Sequence, residues 1–322
     1  MLYRKIKTWI VNCSNEECLQ HIESHNLINS ECYNETYARL KDKYGQQLES
    51  NWNESTDPKK FIYEDISIAS YLIVLWKQER EKSGSDKLQS FVDLGCGNGL
   101  LVYLLAAEGH PGFGIDLRKR KIWDEFPLAT DLREMAVVPS DEQLFPEIDW
   151  IIGNHSDELS PWIPVISARS SYKSKYFLLP CCAFEFSGKK FQRTGKKSQY
   201  FSFIDYLVKV SEACGFEDTK LDRLKIPSTK RICLIGSTRS FDEVDFKSQC
   251  EKIQNFINAS SAQGNSEQWS ESFKPREREE KIKNGSRIDK DLKESITKMI
   301  FEHLMDKEEF CDEFPKWNCG GL

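Results

Sequence analysis

Between a short apolar run at 90–94 and a helix-like apolar stretch at 100–109 lies Asp93-Leu94-Gly95-Cys96-Gly97-Asn98-Gly99. Three glycines let the backbone approach a ligand closely, and a helix starting there offers unpaired N–H groups. That chemistry suits a nucleotide-like ligand. A dinucleotide site asks for G-x-G-x-x-G; here the third glycine comes one residue early and an acid opens the motif. No Gly-Lys-Ser/Thr follows, which excludes a P-loop. Asp116 closes a second strand-like run, 113–116, where an acid accepts hydrogen bonds from both hydroxyls of a ribose. Asp131 or Asp141 comes within reach of an adenine amine, with Asp131 placed ahead.

The loop resembles the first motif of class I S-adenosylmethionine-dependent methyltransferases. In that pattern Asp93, Gly95, Gly97, Gly99 and Asp116 hold the cofactor, joined here by Asp131 and by Asn154 at the end of a later strand. That strand, 148–154, delivers Gly153-Asn154-His155-Ser156-Asp157-Glu158. Methyltransferases of planar amino groups show Asn/Asp-Pro-Pro-aromatic at this place, and its absence argues against base N-methylation. His155 is a candidate general base, and Asp157 either orients it or serves alone. Lys230, in Ser228-Thr229-Lys230-Arg231, binds phosphate or takes a proton if burial lowers its pKa. Cys181 and Cys182 end another strand; a thiolate there attacks C6 of a pyrimidine, the route to C5-methylation, though a pair of buried small side chains is the commoner fate of free cysteines.

Two basic runs ask for a partner. Arg118-Lys119-Arg120-Lys121 follows Asp116, and residues 187–198 hold Lys189, Lys190, Arg193, Lys196 and Lys197 with no acid. Phe184, Phe186 and Phe191 interleave with the second run. Cations on phosphates and aromatics on unstacked bases suit a structured RNA. Cys13, Cys18, His21 and His25 resemble zinc-finger spacing, but two residues between the halves cannot form a finger; His303, Cys311 and Cys319 are as widely spread. No metal is expected.

The elements that must position these groups alternate. Strands are expected at 90–94, 113–116, 132–138, 148–154 and 175–180, with helices at 118–125, 160–172 and 199–214, then a hairpin of 220–226 and 231–235. The pattern indicates an α/β fold: a Rossmann-like, mostly parallel sheet with one antiparallel edge strand, covered by helices. A long helix at 63–81 precedes it, with Ile66, Ala69, Ile73 and Trp76 on one stripe. The domains expected are an N-terminal helical extension (1–85), the methyltransferase domain (86–240) and a hydrophilic segment (241–322) with a last helix carrying Ile288, Leu292, Ile296, Met299 and Ile300, which docks on the rest. The 322 residues are ample for a core without staples. With 45 Lys+Arg against 51 Asp+Glu, a wholesale basic protein is excluded while a local basic face is not. No apolar stretch reaches the length of a membrane span. Eleven cysteines and no secretory signal fit reduced thiols in the cytosol or nucleus.

Longer stretches are similar to the tRNA(Ser) uridine-44 2′-O-methyltransferase family: RLKDKYG (39–45), KFIYEDISIASYLIVLW (60–76), FVDLGCGNGLLVYLL (91–105), GIDLRKRKIWD (114–124), DWIIGNHSDELSPWIPVISARSSY (149–172), FLLPCC (177–182), IPSTKRICLIG (226–236) and FKPREREEKIKN (273–284). The resemblance implies a cytoplasmic enzyme that moves the methyl of S-adenosylmethionine to a ribose 2′-hydroxyl of tRNA. On this reading the base is His155, Asp157 or Lys230, and phosphates are held by Arg118, Lys119, Arg120, Lys189, Lys190, Arg193, Lys196 and Lys197. The rivals are a pyrimidine C5-methyltransferase working through Cys181 or Cys182 and a non-catalytic cofactor-binding RNA module.

Overall fold

The computed structural model describes residues 22–260 except 55 and 194, together with 269, 273 and 290–305. Cys13, Cys18, His21, Cys311, Cys319 and the 274–284 stretch lie outside the described residues.

The described chain opens with α1 (Ser30–Leu40), a π-turn (Lys41–Gly45) and α2 (Gln46–Ser50), then the long α3 (Pro58–Ser83). Helix α3 starts at a cap rather than at its apolar stripe. The Asp57 carboxylate accepts the Lys59 N–H at 3.1 Å, Pro58 occupies the first turn, and Gly84 ends the helix in the left-handed conformation at φ +65°. The start lies five residues before the expected Tyr63, because the cap and proline set the boundary rather than the apolar stripe.

Then follow β1 (Phe91–Leu94), α4 (Leu100–Ala107), β2 (Gly112–Asp116), β3 (Asp131–Glu134), β4 (Trp150–Asn154), α5 (Trp162–Ser170), β5 (Lys175–Leu179), α6 (Gln199–Ala213), β6 (Phe216–Glu217), β7 (Lys220–Arg223), β8 (Ile232–Gly236), β9 (Thr238–Arg239) and α7 (Phe246–Ser260). Seven strands form one sheet in the order β3-β2-β1-β4-β5-β8-β7, and β6 pairs with β9. The strands from β3 to β5 run parallel; β8 is antiparallel to both β5 and β7. The antiparallel strand is thus the last but one, inserted between β5 and the outermost β7.

Alternating side chains send each strand into two cores. Phe91, Trp150, Ile152, Phe177, Leu179, Cys233 and Ile235 pack toward α1, α3 and α4. Val92, Ile151, Tyr176, Leu178, Ile232 and Leu234 pack toward α5, α6 and α7. Helices on both faces are what allow the parallel interior strands to be apolar throughout. Trp76 of α3 is fully buried, with ring centroids 6.1 Å from Phe91 and 6.0 Å from Trp150. Truncating such a side chain costs about 3–5 kcal/mol.

Two elements differ from expectation. The helix expected at 118–125 is only a 3₁₀ turn, Lys121–Glu125: Arg120 is extended, and the Ile122 N–H is claimed by Glu54 at 3.1 Å. Strand β3 is shorter than expected and polar, because it is the sheet's exposed edge. Residues Met1–Arg276 belong to one compact unit and Glu277–Leu322 to a second. In the second, α8 (Lys290–Met305) forms on the expected spacing, and Leu292, Ile296 and Met299 are exposed. Among the described residues no helix is long and apolar enough to cross a membrane.

Candidate functional site: a nucleoside cradle at the strand ends

Chain direction across the sheet reverses between β1 and β4, and the crevice at that switch is where a doubly wound sheet binds its ligand. The glycine loop 95–99 bends there. Its Gly95 and Cys96 N–H groups donate to the Ile115 carbonyl at 2.8 and 3.0 Å, stapling it to β2. The Asp116 carboxylate accepts from Gly97 N at 2.9 Å and from Arg118 N at 3.1 Å. Gly97 has φ +56°, and a Cβ placed there meets nothing within 4 Å: its bare side faces open space. Gly99 is the opposite case. At φ +74°, a Cβ would lie 2.7 Å from Leu132 Cδ1 and 3.2 Å from the Trp123 indole nitrogen. Trp123 Nε1 in turn donates to the Gly97 carbonyl at 3.0 Å.

A cavity of about 180 Å³ opens beside the loop, lined among others by Gly95, Gly97, Asp116, Arg118, Arg120 and Val137. Its other wall is His155, Ser156, Asp157 and Glu158, directly after β4. His155 and Asp157 both hold left-handed backbone, φ +53° and +47°, which costs a non-glycine residue roughly 1–3 kcal/mol and is stored where the surroundings over-determine it. The His155 N–H donates to the Leu179 carbonyl at 3.0 Å, and its ring Nε2 lies 3.0 Å from Glu64 Oε1. Glu64 comes from α3 and is buried. Its neighbour Asp65 is buried too, takes the Asn154 side-chain N–H at 3.3 Å, and is pushed up to about 7 by burial and then by the Glu64 charge. Asp93 is 1% exposed and held well above the usual carboxylate range by burial and the Asp65 charge. Its Oδ1 has no hydrogen-bond partner.

The structure therefore brings together Asp93, Gly95, Gly97, Gly99, Asp116, Asn154, His155 and Asp157 around one crevice. Asp131 is not part of it. It opens β3 opposite Phe113, at the other end of the strand, and forks with Arg133 at 3.0 and 2.6 Å. Asp141 is exposed and receives Arg169 at 2.8 Å and the Trp269 N–H at 2.9 Å. On the β5 side the Cys181 thiol donates to Asp157 Oδ1 at 3.1 Å, and burial together with that carboxylate pushes it far up. Such a thiol is a poor nucleophile at neutral pH. Exposed Lys230 donates through Nζ to the Cys181 carbonyl. Asp157, Cys181 and Cys182 present their ligand-type atoms within 4.8 Å of one another, the one metal-like grouping among the described residues.

Of the cations, Arg118 and Arg120 line the cavity, while Lys119 pairs with Asp124. Lys189, Lys190, Arg193, Lys196 and Lys197 are exposed on the loop between β5 and α6. Within it Lys190 sits 3.9 Å over the Phe184 ring, Arg193 donates to the Lys197 carbonyl at 2.9 Å, and Lys197 pairs with Asp205 at 2.7 Å. Glu64 and Asp65 join the site from outside its motifs. Their signal was two adjacent acids inside the apolar stripe of α3, between Ile62 and Ile66, where a solvated face has no place.

Strand order, the glycine loop and the acid closing β2 define the class I methyltransferase fold. The cradle fits S-adenosylmethionine: an open glycine face, an acid at the end of β2, and an unpaired buried carboxylate oxygen beside them. A family model described as a predicted AdoMet-dependent methyltransferase matches residues 27–139. A human protein named probable tRNA (uracil-O(2)-)-methyltransferase is 52% identical over 231 residues, covering 72% of this chain and 30% of that protein. Proteins of the same name from Xenopus laevis and Drosophila melanogaster are 40% and 43% identical, covering 91% and 96% of this chain and 50% and 57% of theirs. The chain belongs to this family. It spans between 30% and 57% of the length of these three relatives.

Proposed function

We propose that this chain transfers the methyl group of S-adenosylmethionine to a uridine ribose 2′-hydroxyl of tRNA, and that the nucleotide is uridine 44 of tRNA(Ser). The observation that carries the reading is the pairing of the cradle with His155 and Glu64 at the end of β4, in a chain whose relatives bear the tRNA (uracil-O(2)-)-methyltransferase name. When bound, the cofactor supplies an activated methyl on a positively charged sulfur. What the protein adds is alignment and a place for the hydroxyl proton.

His155 is favoured as that place. With Nε2–H donating to Glu64, the basic nitrogen is Nδ1, and the buried carboxylate stabilises the imidazolium that forms. Asp157 already accepts the Cys181 thiol, and Lys230 is exposed and engaged with a carbonyl, so both are less suited to it. Arg118 and Arg120 would hold phosphate at the cavity mouth, and the 187–198 loop would hold the flanking backbone. The protonated state of Cys181 weighs against pyrimidine C5-methylation. The setting is cytoplasmic on this reading.

The test is purified chain with labelled S-adenosylmethionine and unmodified tRNA(Ser), followed by nucleoside analysis. Label in 2′-O-methyluridine at position 44 is the expected result. Label in 5-methylpyrimidine would move the chemistry to the cysteines. Cellular methylation that survives Asp116→Ala but not removal of the basic loop would point to a non-catalytic RNA module.

A further inference from the structure

Three side chains of metal-binding type converge at the ends of β4 and β5: Asp157 from the turn after β4, and the consecutive Cys181 and Cys182 after β5. Successive residues of a strand point to opposite faces. Here β5 stops at Leu179, Pro180 intervenes and the chain bends at Cys182, so both thiols come to one place. The two sulfurs and one carboxylate oxygen lie within 4.8 Å of one another, and Cys181 Sγ is 3.1 Å from Asp157 Oδ1. In a tetrahedral zinc site, Zn–S is about 2.3 Å and Zn–O about 2.1 Å, which sets neighbouring donors roughly 3.5–3.8 Å apart. The three atoms outline one face of such a tetrahedron. All three residues are half-buried, so a cation has a way in.

We propose that Asp157, Cys181 and Cys182 bind one thiolate-preferring divalent cation, of which Zn²⁺ is the type, with a fourth position left to water. Two sulfurs select a soft or borderline metal, and the carboxylate oxygen favours Zn²⁺ over Cu⁺; neither Mg²⁺ nor Ca²⁺ suits sulfur. Charge agrees. Two thiolates and a carboxylate against a divalent cation leave one negative charge, and the Lys230 ammonium, donating to the Cys181 carbonyl, stands beside it. The site departs from the expectation of no metal, which weighed finger-like spacings. These ligands come from two strand ends 24 positions apart, which no such spacing encodes.

On binding, the Cys181 S–H bond to Asp157 is given up and both thiol protons pass to the buffer. Each sulfur and one carboxylate oxygen then donates an electron pair to the metal, with no change of oxidation state. Asp157 stands in the cavity wall, so the cation ties the turn that carries His155 to the end of β5. It is a brace and takes no part in methyl transfer; without it, the hydrogen bond from Cys181 to Asp157 holds the same turn. The proposal is independent of which cofactor or acceptor the cavity takes.

The experiment strips the reduced full chain with a chelator and titrates it with Co²⁺, whose sulfur-to-metal absorption reports thiolate ligation. The unaltered chain should show that absorption, lose it when Zn²⁺ displaces the cobalt, and melt at a higher temperature with Zn²⁺ present. It should bind one equivalent more than Cys181→Ser/Cys182→Ser, while Cys13→Ser/Cys18→Ser, which alters thiols elsewhere in the chain, keeps that equivalent. Asp157→Asn, which preserves the side-chain shape, should weaken Co²⁺ and Zn²⁺ at least about tenfold. Circular dichroism checks that each variant folds; if the double cysteine variant does not, Asp157→Asn decides. Three outcomes overturn the proposal. They are no sulfur-to-cobalt absorption in the unaltered chain, the full equivalent retained by Cys181→Ser/Cys182→Ser, and unchanged affinity in Asp157→Asn. Displacement of Co²⁺ by an equal amount of Mg²⁺ would overturn the thiolate preference and the site with it.

Discussion

At the residue scale, the His155 ring is defined by what holds its far nitrogen. Glu64 Oε1 at 3.0 Å selects one tautomer and orients the ring. If His155 takes the hydroxyl proton, Glu64→Ala should lower the single-turnover rate about a hundredfold, with little change in the KM for tRNA, and Glu64→Asp should recover part of it. A merely structural Glu64 would change stability and leave that split absent. Cys181 provides the complementary case. Its thiol is half-buried, donates to Asp157 and is pushed far above the physiological range. Cys181→Ser keeps a donor of similar size, so turnover should stay within about twofold on the 2′-O reading. Loss of all turnover in that variant, with cofactor binding intact, would restore the covalent pyrimidine route.

At the element scale, the loop between β5 and α6 has an apolar underside and a basic surface: Phe186 is buried against Trp162 and Phe191 packs on Phe203 and Tyr206, so these two rings are spent on the core and only the cations face outward. Its five cations are exposed, and only Lys197 has an acidic partner among the salt bridges found there. If all five meet phosphates, changing Lys189, Lys190, Arg193, Lys196 and Lys197 to alanine should reduce the slope of log affinity against log salt by roughly 3 to 4. An unchanged slope in filter-binding or anisotropy titrations would remove this loop from the RNA surface. The same scale explains why the 118–121 run is not equivalent. Asp116 ties its first residue to the cradle, so Arg118 and Arg120 face the cavity while Lys119 is engaged with Asp124.

At the scale of the whole molecule, the chain ahead of α1 closes the sheet's far edge. Ser24 bridges to Arg223 of β7, and the Asn26 and Leu27 N–H groups donate to the fully buried Asp222 at 3.0 and 3.1 Å. His25 accepts the Lys225 N–H through Nε2 at 3.1 Å, which requires a neutral ring, and burial lowers it from 6.5 to about 4. The unfolded chain therefore takes up its proton first as pH falls. Stability owed to His25 is complete above about 6.5 and drains away as pH drops toward 4. Asp65, raised to about 7, works in the other direction: its share is full at acid pH and lost as pH rises through 7. On going from pH 7 to pH 5 the melting temperature of the unaltered chain should thus drop relative to that of His25→Gln, the Asp65 share being common to both. Parallel slopes for the two would show that this latch does not govern acid stability.

Local sequence was enough for everything that depends on near neighbours. The glycine loop between strand and helix, the acid closing β2, the apolar interior strands and the capped α3 each follow from residues within a few positions, because backbone conformation and side-chain periodicity are short-range properties. The 3₁₀ turn after Arg120 and the short β3 were not legible, since Glu54 and an exposed sheet edge decide them from elsewhere in the chain. The insertion of β8 ahead of β7 was equally a matter of which edge was free. The site divides along the same line. Asp93, Asp116 and His155 are carried by motifs. Glu64 and Asp65 read as part of an ordinary amphipathic helix, and Asp131 read as a ligand. Only the packing of α3 across the switch point gives the two helical acids a histidine and an unpaired carboxylate for company, and only the strand register puts Asp131 at the wrong end of β3. Contacts between residues nearly ninety positions apart set those charges, and no periodicity encodes them.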